Sequence, residues 1–188
     1  MTRKPKPRQR SGDYCIFIGA FPDGSLAEQI QAIRQRYDLK TAVITPPHVT
    51  LAGTYWRSGP ATAENEADLI NRLQEMTGKI RAFNLELGSI RTFGRRVVYL
   101  GVQPTDDLLT VRATLLRLAG RDKHRIFAPH LTLAMRLNQP DTARMIAELK
   151  ASEWENGRFT APIHELRLMQ RGPADPAWRT IYQLPLKS

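Results

Sequence analysis

The chain has one cysteine, Cys15, so it cannot close an intrachain disulfide. Its neighbours Tyr14, Ile16, Phe17 and Ile18 are those of a buried strand, where a cysteine acts as a small hydrophobe; no helix start or histidine lies near it in sequence to activate the thiol. Long apolar runs are absent too: none approaches the roughly 20 residues that span a bilayer. The first twelve residues are basic but lack the apolar core of a signal peptide, so a cytoplasmic protein with no membrane partner is expected. Acid is in short supply, with 18 Asp and Glu against 28 Lys and Arg, and the net charge of +10 favours polyanionic partners. Half of that charge is local. Arg3, Lys4, Lys6, Arg8 and Arg10 stand together without an acid, which predicts a disordered basic tail over residues 1–12 ahead of a single domain over 13–188.

What is present is an ordinary globular mixture, 41% hydrophobic and 24% charged, in a chain of 188 residues that can bury one substantial core. Residues 14–21 read as a buried strand closed by Pro22-Asp23-Gly24. Ser25 and Glu28 have capping-box spacing, and Leu26, Ile30, Ile33 and Tyr37 then recur at helical intervals. A strand over 47–56 follows, entered through Pro46-Pro47, and then a helix from Thr62 to about Lys79. Strands are expected over 83–87 and 96–102, helices over 105–118 and about 141–152, and strands over 163–171 and 179–186. Between them lies a second motif segment, 127–134.

The two motif segments carry the chemistry. Pro47-His48-Val49-Thr50-Leu51 is echoed by Pro129-His130-Leu131-Thr132-Leu133, an approximate repeat of about 82 residues from position 48 to position 130. In an extended strand alternate side chains share a face, so each motif presents an imidazole beside a hydroxyl and sends Val49 and Leu51, or Leu131 and Leu133, into a core. Two such groups facing one another suit phosphodiester cleavage. One histidine can take a proton from the nucleophile, the other can protonate the leaving oxygen, and the threonines can donate to non-bridging oxygens. The motifs lack the carboxylate or cysteine partners of a usual metal site, so no metal is expected.

Pro46-Pro47-His48-Val49-Thr50-Leu51 and Pro129-His130-Leu131-Thr132-Leu133-Ala134 resemble the paired motifs of the 2H phosphoesterase superfamily, near its bacterial 2′-5′ RNA ligase and RNA 2′,3′-cyclic phosphodiesterase branch. The resemblance spans residues 14–187 and includes the Arg-rich turn before Val97-Val98-Tyr99-Leu100 and a final strand ending in Leu184-Pro185-Leu186. It implies a bilobal α+β fold: two antiparallel sheets lining a central cleft, helices on the outer faces, and a pseudo-two-fold duplication. It also implies hydrolysis of 2′,3′-cyclic phosphate to a 2′-phosphate without cofactor, with His48, Thr50, His130 and Thr132 as the catalytic set, His130 as base and His48 as acid. Partners would be RNA or a small cyclic-phosphate nucleotide, and the protein a monomer.

Many relatives have an arginine five residues after the second histidine. Met135 stands there in this chain, and simple alternation sends Arg136 to the face of His130 and Thr132 as a phosphate-binding candidate. The tail, with Trp178-Arg179-Thr180-Ile181-Tyr182, resembles a divergent branch of the superfamily. Phe93, Tyr99, Phe127, Tyr55 and Trp56 are candidates to stack on a base. The basic cluster Arg117, Arg121, Lys123 and Arg125 is a candidate guide for substrate, whereas His124 and His164 read as ordinary residues. Two alternatives share the cleft: an RNA-end-binding protein with little turnover, and a reversible 2′-5′ RNA ligase.

Overall fold

A computed structural model describes residues 13–122 and 126–188. The chain runs β1 (Tyr14–Ala20), α1 (Gly24–Tyr37), α2 (Leu39–Ile44), β2 (Val49–Arg57), a 3₁₀ turn (Glu64–Glu66), α3 (Ala67–Gln74), β3 (Phe83–Phe93), β4 (Val97–Val102) and α4 (Asp106–Ala119). It continues with β5 (His130–Met135), α5 (Gln139–Lys150), α6 (Glu153–Asn156), β6 (Arg158–Ile163), β7 (Glu165–Arg171) and β8 (Arg179–Pro185). The basic tail expected over 1–12 lies outside the described residues. Among those described, no helix is long and apolar enough to cross a membrane.

The fold is a mixed helix and strand fold, and its strands form one antiparallel sheet in the order β6-β3-β4-β5-β2-β1-β7-β8. Two separate sheets were expected. Instead the motif strands β2 and β5 lie side by side at the centre, joined through the pair Val49↔Leu131, with four strands on either side of that seam. The reason is visible in burial: both side chains of the pair are fully buried, so each motif's apolar face completes the same core.

That core lies on one side of the sheet. Ile16, Ile18, Leu51, Leu85, Leu87, Leu100, Leu133, Leu166 and Leu168 meet Ile30 of α1, Leu69 and Leu73 of α3, Leu108 and Leu115 of α4, and Met145 and Leu149 of α5 in one cluster. The helices therefore cover one face and leave the opposite face, which carries both histidines, uncovered.

Several boundaries moved for local reasons. Helix α1 opens at Gly24 with Asp23 at its cap and no side-chain capping bond, so the Ser25 box is not used. Asn138 caps α5 by accepting from the Asp141 amide at 2.8 Å, with Pro140 in the first turn, which starts that helix earlier than expected. The helix expected over 62–79 is confined to α3 and its preceding turn. Strand β6 and helix α2 were not anticipated; Asp38 caps α2 through the Thr41 amide at 3.0 Å, and its other carboxylate oxygen accepts from the Met135 amide at 2.7 Å, tying the end of β5 to α1 and α2.

A paired-histidine cleft as the candidate active site

Continuing the antiparallel register outward from Val49↔Leu131 sets His48 across from Thr132 and Thr50 across from His130. The four residues singled out in the motifs thus meet on the uncovered face, on both sides of the seam. The Thr50 and Thr132 hydroxyls are half-buried and make no hydrogen bond among the described residues, so both remain available to a ligand.

Each imidazole is held the same way. His48 Nδ1 lies 2.9 Å from the Pro46 carbonyl and His130 Nδ1 lies 2.8 Å from the Ala128 carbonyl. A carbonyl can only accept, so Nδ1–H donates in both rings, and the nitrogen that can exchange a proton is Nε2. The intervening prolines serve this geometry: a residue before proline is held extended, which fixes the carbonyl two positions ahead of each histidine.

The packing around the rings is asymmetric. Phe17 stacks on His48 at 4.8 Å between centroids and 24°, with Phe21 at 5.4 Å and 27°, and Trp178 meets Phe17 edge-on at 4.8 Å. His130 instead receives Phe93 at 4.8 Å and 83° and Tyr99 at 5.2 Å and 62°, edge to face, while Phe93 and Tyr99 stack on each other at 4.1 Å. Phe93 is 40% exposed, so its outer surface is open to a ligand.

Burial lowers the His48 pKa from 6.5 to about 4; the Pro46 hydrogen bond opposes this, and the positive charges of Arg34 and His130 add to it. Arg34 is a buried guanidinium on α1 held by Gln31 Oε1 at 2.9 Å and the Thr41 carbonyl at 3.1 Å. Because the folded pKa lies below the unfolded one, unfolding takes up a proton between pH of roughly 6.5 and 4, and stability contributed by neutral His48 is lost as pH falls through that window. Imidazole NMR is expected to show His48 titrating near 4, and the urea midpoint of the wild type should fall more from pH 7 to pH 5 than that of His48→Gln. Titration of His48 near its ordinary value would contradict the burial described.

The remaining candidates divide. Phe93 and Tyr99 stand beside His130. Phe127 does not: its ring lies beneath the Arg112 guanidinium, 4.0 Å from the centroid, and packs on the core. Tyr55 is buried, with its hydroxyl donating to the Gly120 carbonyl at 2.7 Å, and Trp56 sits at the far end of β2. Arg117 donates to Thr114 at 3.0 Å and Arg121 is exposed; Lys123, His124 and Arg125 lie outside the described residues. His164 borders a depression of about 340 Å³ with Glu86, Thr105 and Asp107, away from the cleft.

Arg136 also departs from expectation. The β4–β5 ladder runs Tyr99↔Thr132 and then Val98↔Ala134, so Leu133 is an extra residue and the alternation slips by one. Met135 pairs with Val97 and takes the cleft face, whereas Arg136 follows the strand in a left-handed conformation, φ 60°. The first motif carries the same bulge at the same place, with Gly19↔Thr50 followed by Ile18↔Ala52 around Leu51. Sequence reasoning missed Phe17, Phe21 and Trp178 because the first two read as core of a buried strand. Among the described residues, no three of His, Cys, Asp and Glu come together as a metal-binding group.

The chain is similar to known proteins in sequence and in fold. The sequence matches the 2′-5′ RNA ligase superfamily over residues 22–175. A Bacillus cytotoxicus protein named "Putative phosphoesterase" is 25% identical over 140 residues, covering 73% of this chain and 78% of the relative. A Bacillus cereus relative is 25% identical over 155 residues, covering 81% and 86%. Among solved folds, apo Escherichia coli LigT aligns with a TM-score of 0.57 at 22% identity, over 93% of this chain and 98% of LigT. A Thermus thermophilus protein, TT0787, aligns at 0.54 and 18%, over 93% and 98%. With its paired motifs joined across one seam and this match over most of its length, the chain belongs to the 2′-5′ RNA ligase superfamily of 2H phosphoesterases.

Proposed function

We propose that the cleft hydrolyses 2′,3′-cyclic phosphate at RNA ends or on nucleotides, giving a 2′-phosphate by two-histidine acid–base catalysis. The observation that carries this reading is the shared Nδ1–H tether of His48 and His130 on one sheet face, with the Thr50 and Thr132 hydroxyls beside them. One Nε2 removes a proton from water as its oxygen attacks phosphorus. The bond from phosphorus to O3′ breaks, and the other Nε2–H protonates the departing oxygen. Thr50 and Thr132 donate to the non-bridging oxygens, where charge grows. The histidines end with their protons exchanged, and solvent restores them.

The low pKa of His48 supports the base's role for it in the free protein, the reverse of the roles the resemblance implies. A kcat/KM that falls tenfold per pH unit above about 5 would return it to the acid's role. Phosphate and nucleotide ligands are in keeping with what related folds hold: LigT has been solved with phosphate and with 3′-AMP. The test is ³¹P NMR of 2′,3′-cyclic nucleotides incubated with the protein, where a 2′-phosphate signal is expected and silence across all four bases would reject the reading.

Phe93 supplies the exposed ring for a base. Phe93→Ala is expected to raise KM for a cyclic nucleotide by roughly tenfold with kcat little changed, since stacking contributes roughly 1–3 kcal/mol per base. A cyclic phosphate with no base should show no such change; equal losses on both would assign Phe93 to supporting His130 instead.

A further inference from the structure

Strand β3 holds an arginine that neither the motifs nor simple alternation reveals. Leu85 and Leu87 face the core, so a regular strand would send residue 91 there as well. The β3–β4 ladder instead runs Gly88↔Gly101 and then Ile90↔Leu100, leaving Ser89 as an extra residue with φ 56°. Ile90 thereby enters the core, and Arg91 and Phe93 turn to the cleft face. The apolar spacing Leu87-Gly88-Ser89-Ile90, three residues where two would continue the strand, is the trace of this in sequence.

Arg91 lies in a row across the sheet, Arg91↔Tyr99 and Tyr99↔Thr132, that ends at the second motif's threonine. Its side chain crosses Gly101, where a Cβ would come within 3.1 Å of Arg91 Nε, and Gly101 pairs with His130. Glycine at 101 is what leaves room for that stem. Arg91 is exposed and makes no hydrogen bond or ion pair among the described residues.

The other half offers an instructive contrast. The corresponding row, Arg167↔Gly19 and Gly19↔Thr50, ends at the first motif's threonine. Arg167, however, is bound to Glu165 at 2.7 Å and lies over the Phe21 ring at 4.9 Å. Its charge is already answered. Of the two rows, only the one through Arg91 presents an unanswered guanidinium beside a motif histidine and threonine.

We propose that Arg91 is the anion-binding residue of the cleft, its guanidinium holding non-bridging phosphate oxygens on the second-motif side while Met135 leaves its own position on that face uncharged. The inference rests on the phosphoester reading of the cleft, and its test needs no turnover. Inorganic phosphate is titrated into the full chain while the His130 imidazole is followed by NMR. Arg91→Gln should weaken phosphate binding by about tenfold or more, with Arg91→Lys between it and wild type because a point charge replaces a planar fork. Arg91→Gln should also lower kcat/KM on a cyclic nucleotide to a similar degree. Wild-type affinity in Arg91→Gln, a loss that appears in Arg136→Gln instead, or no phosphate binding by wild type would overturn the proposal. If phosphate binds as described but no cyclic nucleotide is turned over, the proposed reaction fails and this assignment stands.

Discussion

Alanine at either motif histidine is expected to lower turnover of a 2′,3′-cyclic nucleotide by about 10²–10⁴, the range for one positioned acid or base. The double variant should lose little more than the worse single one, because the two groups serve one transition state and their losses do not multiply. Folding has to be checked alongside, since His48 stacks against both Phe17 and Phe21, whereas His130 meets Phe93 and Tyr99 edge to face. His48→Gln fills more of that space and should lose as much activity as His48→Ala if proton transfer is the cause. Undiminished turnover in both alanine variants would remove the histidines from the chemistry and leave the cleft as a binding surface.

The largest effect on stability is expected at Arg112. This buried residue on α4 pairs with Asp122 at 2.9 Å, donates to the Leu51 carbonyl, and covers the Phe127 ring. Leu51 is the bulged residue of the first motif, and a bulge leaves a backbone group without a ladder partner. One side chain therefore satisfies the carbonyl at the first motif's bulge and anchors the segment that leads to the second motif. Arg112→Met would remove the buried ion pair with Asp122 and the donor to the Leu51 carbonyl together, at a cost of about 3–5 kcal/mol. For a domain of this size that corresponds to a fall in Tm of roughly 6–20 °C. Adding Asp122→Leu should recover part of the loss, because the carboxylate that paired with Arg112 is gone; a cycle of the four proteins by urea denaturation measures it. A single-variant loss below about 1 kcal/mol would show that the pair is not holding the two segments.

The same residue explains why Phe127 misled. From sequence, an aromatic three residues ahead of a histidine is as good a candidate for a base platform as Phe93. What separates them is Arg112, 15 residues earlier in the chain, which occupies the Phe127 face. Arg136 misled for a related reason. Counting by twos assumes an unbroken strand, and the extra residue at Leu133 exchanges Arg136 for Met135 on the cleft face. Arg91 was missed through the mirror of that error, since Ser89 shifts the count in its favour.

The paired histidines, their threonines and the apolar residues between them were legible from the chain alone, because a strand's alternation over three residues depends only on local backbone geometry. The same holds for the capping of α4 by Thr105, which accepts from the Leu108 amide at 3.3 Å. Tertiary structure decided the rest. That the motifs share one sheet, that His48 is stacked and driven toward its neutral form while His130 is edged by Phe93 and Tyr99, and that Arg91 reaches the cleft all depend on pairing between strands far apart in the chain. A bulge forms where two strands must match both a core and each other, and neither strand carries that requirement in its own residues.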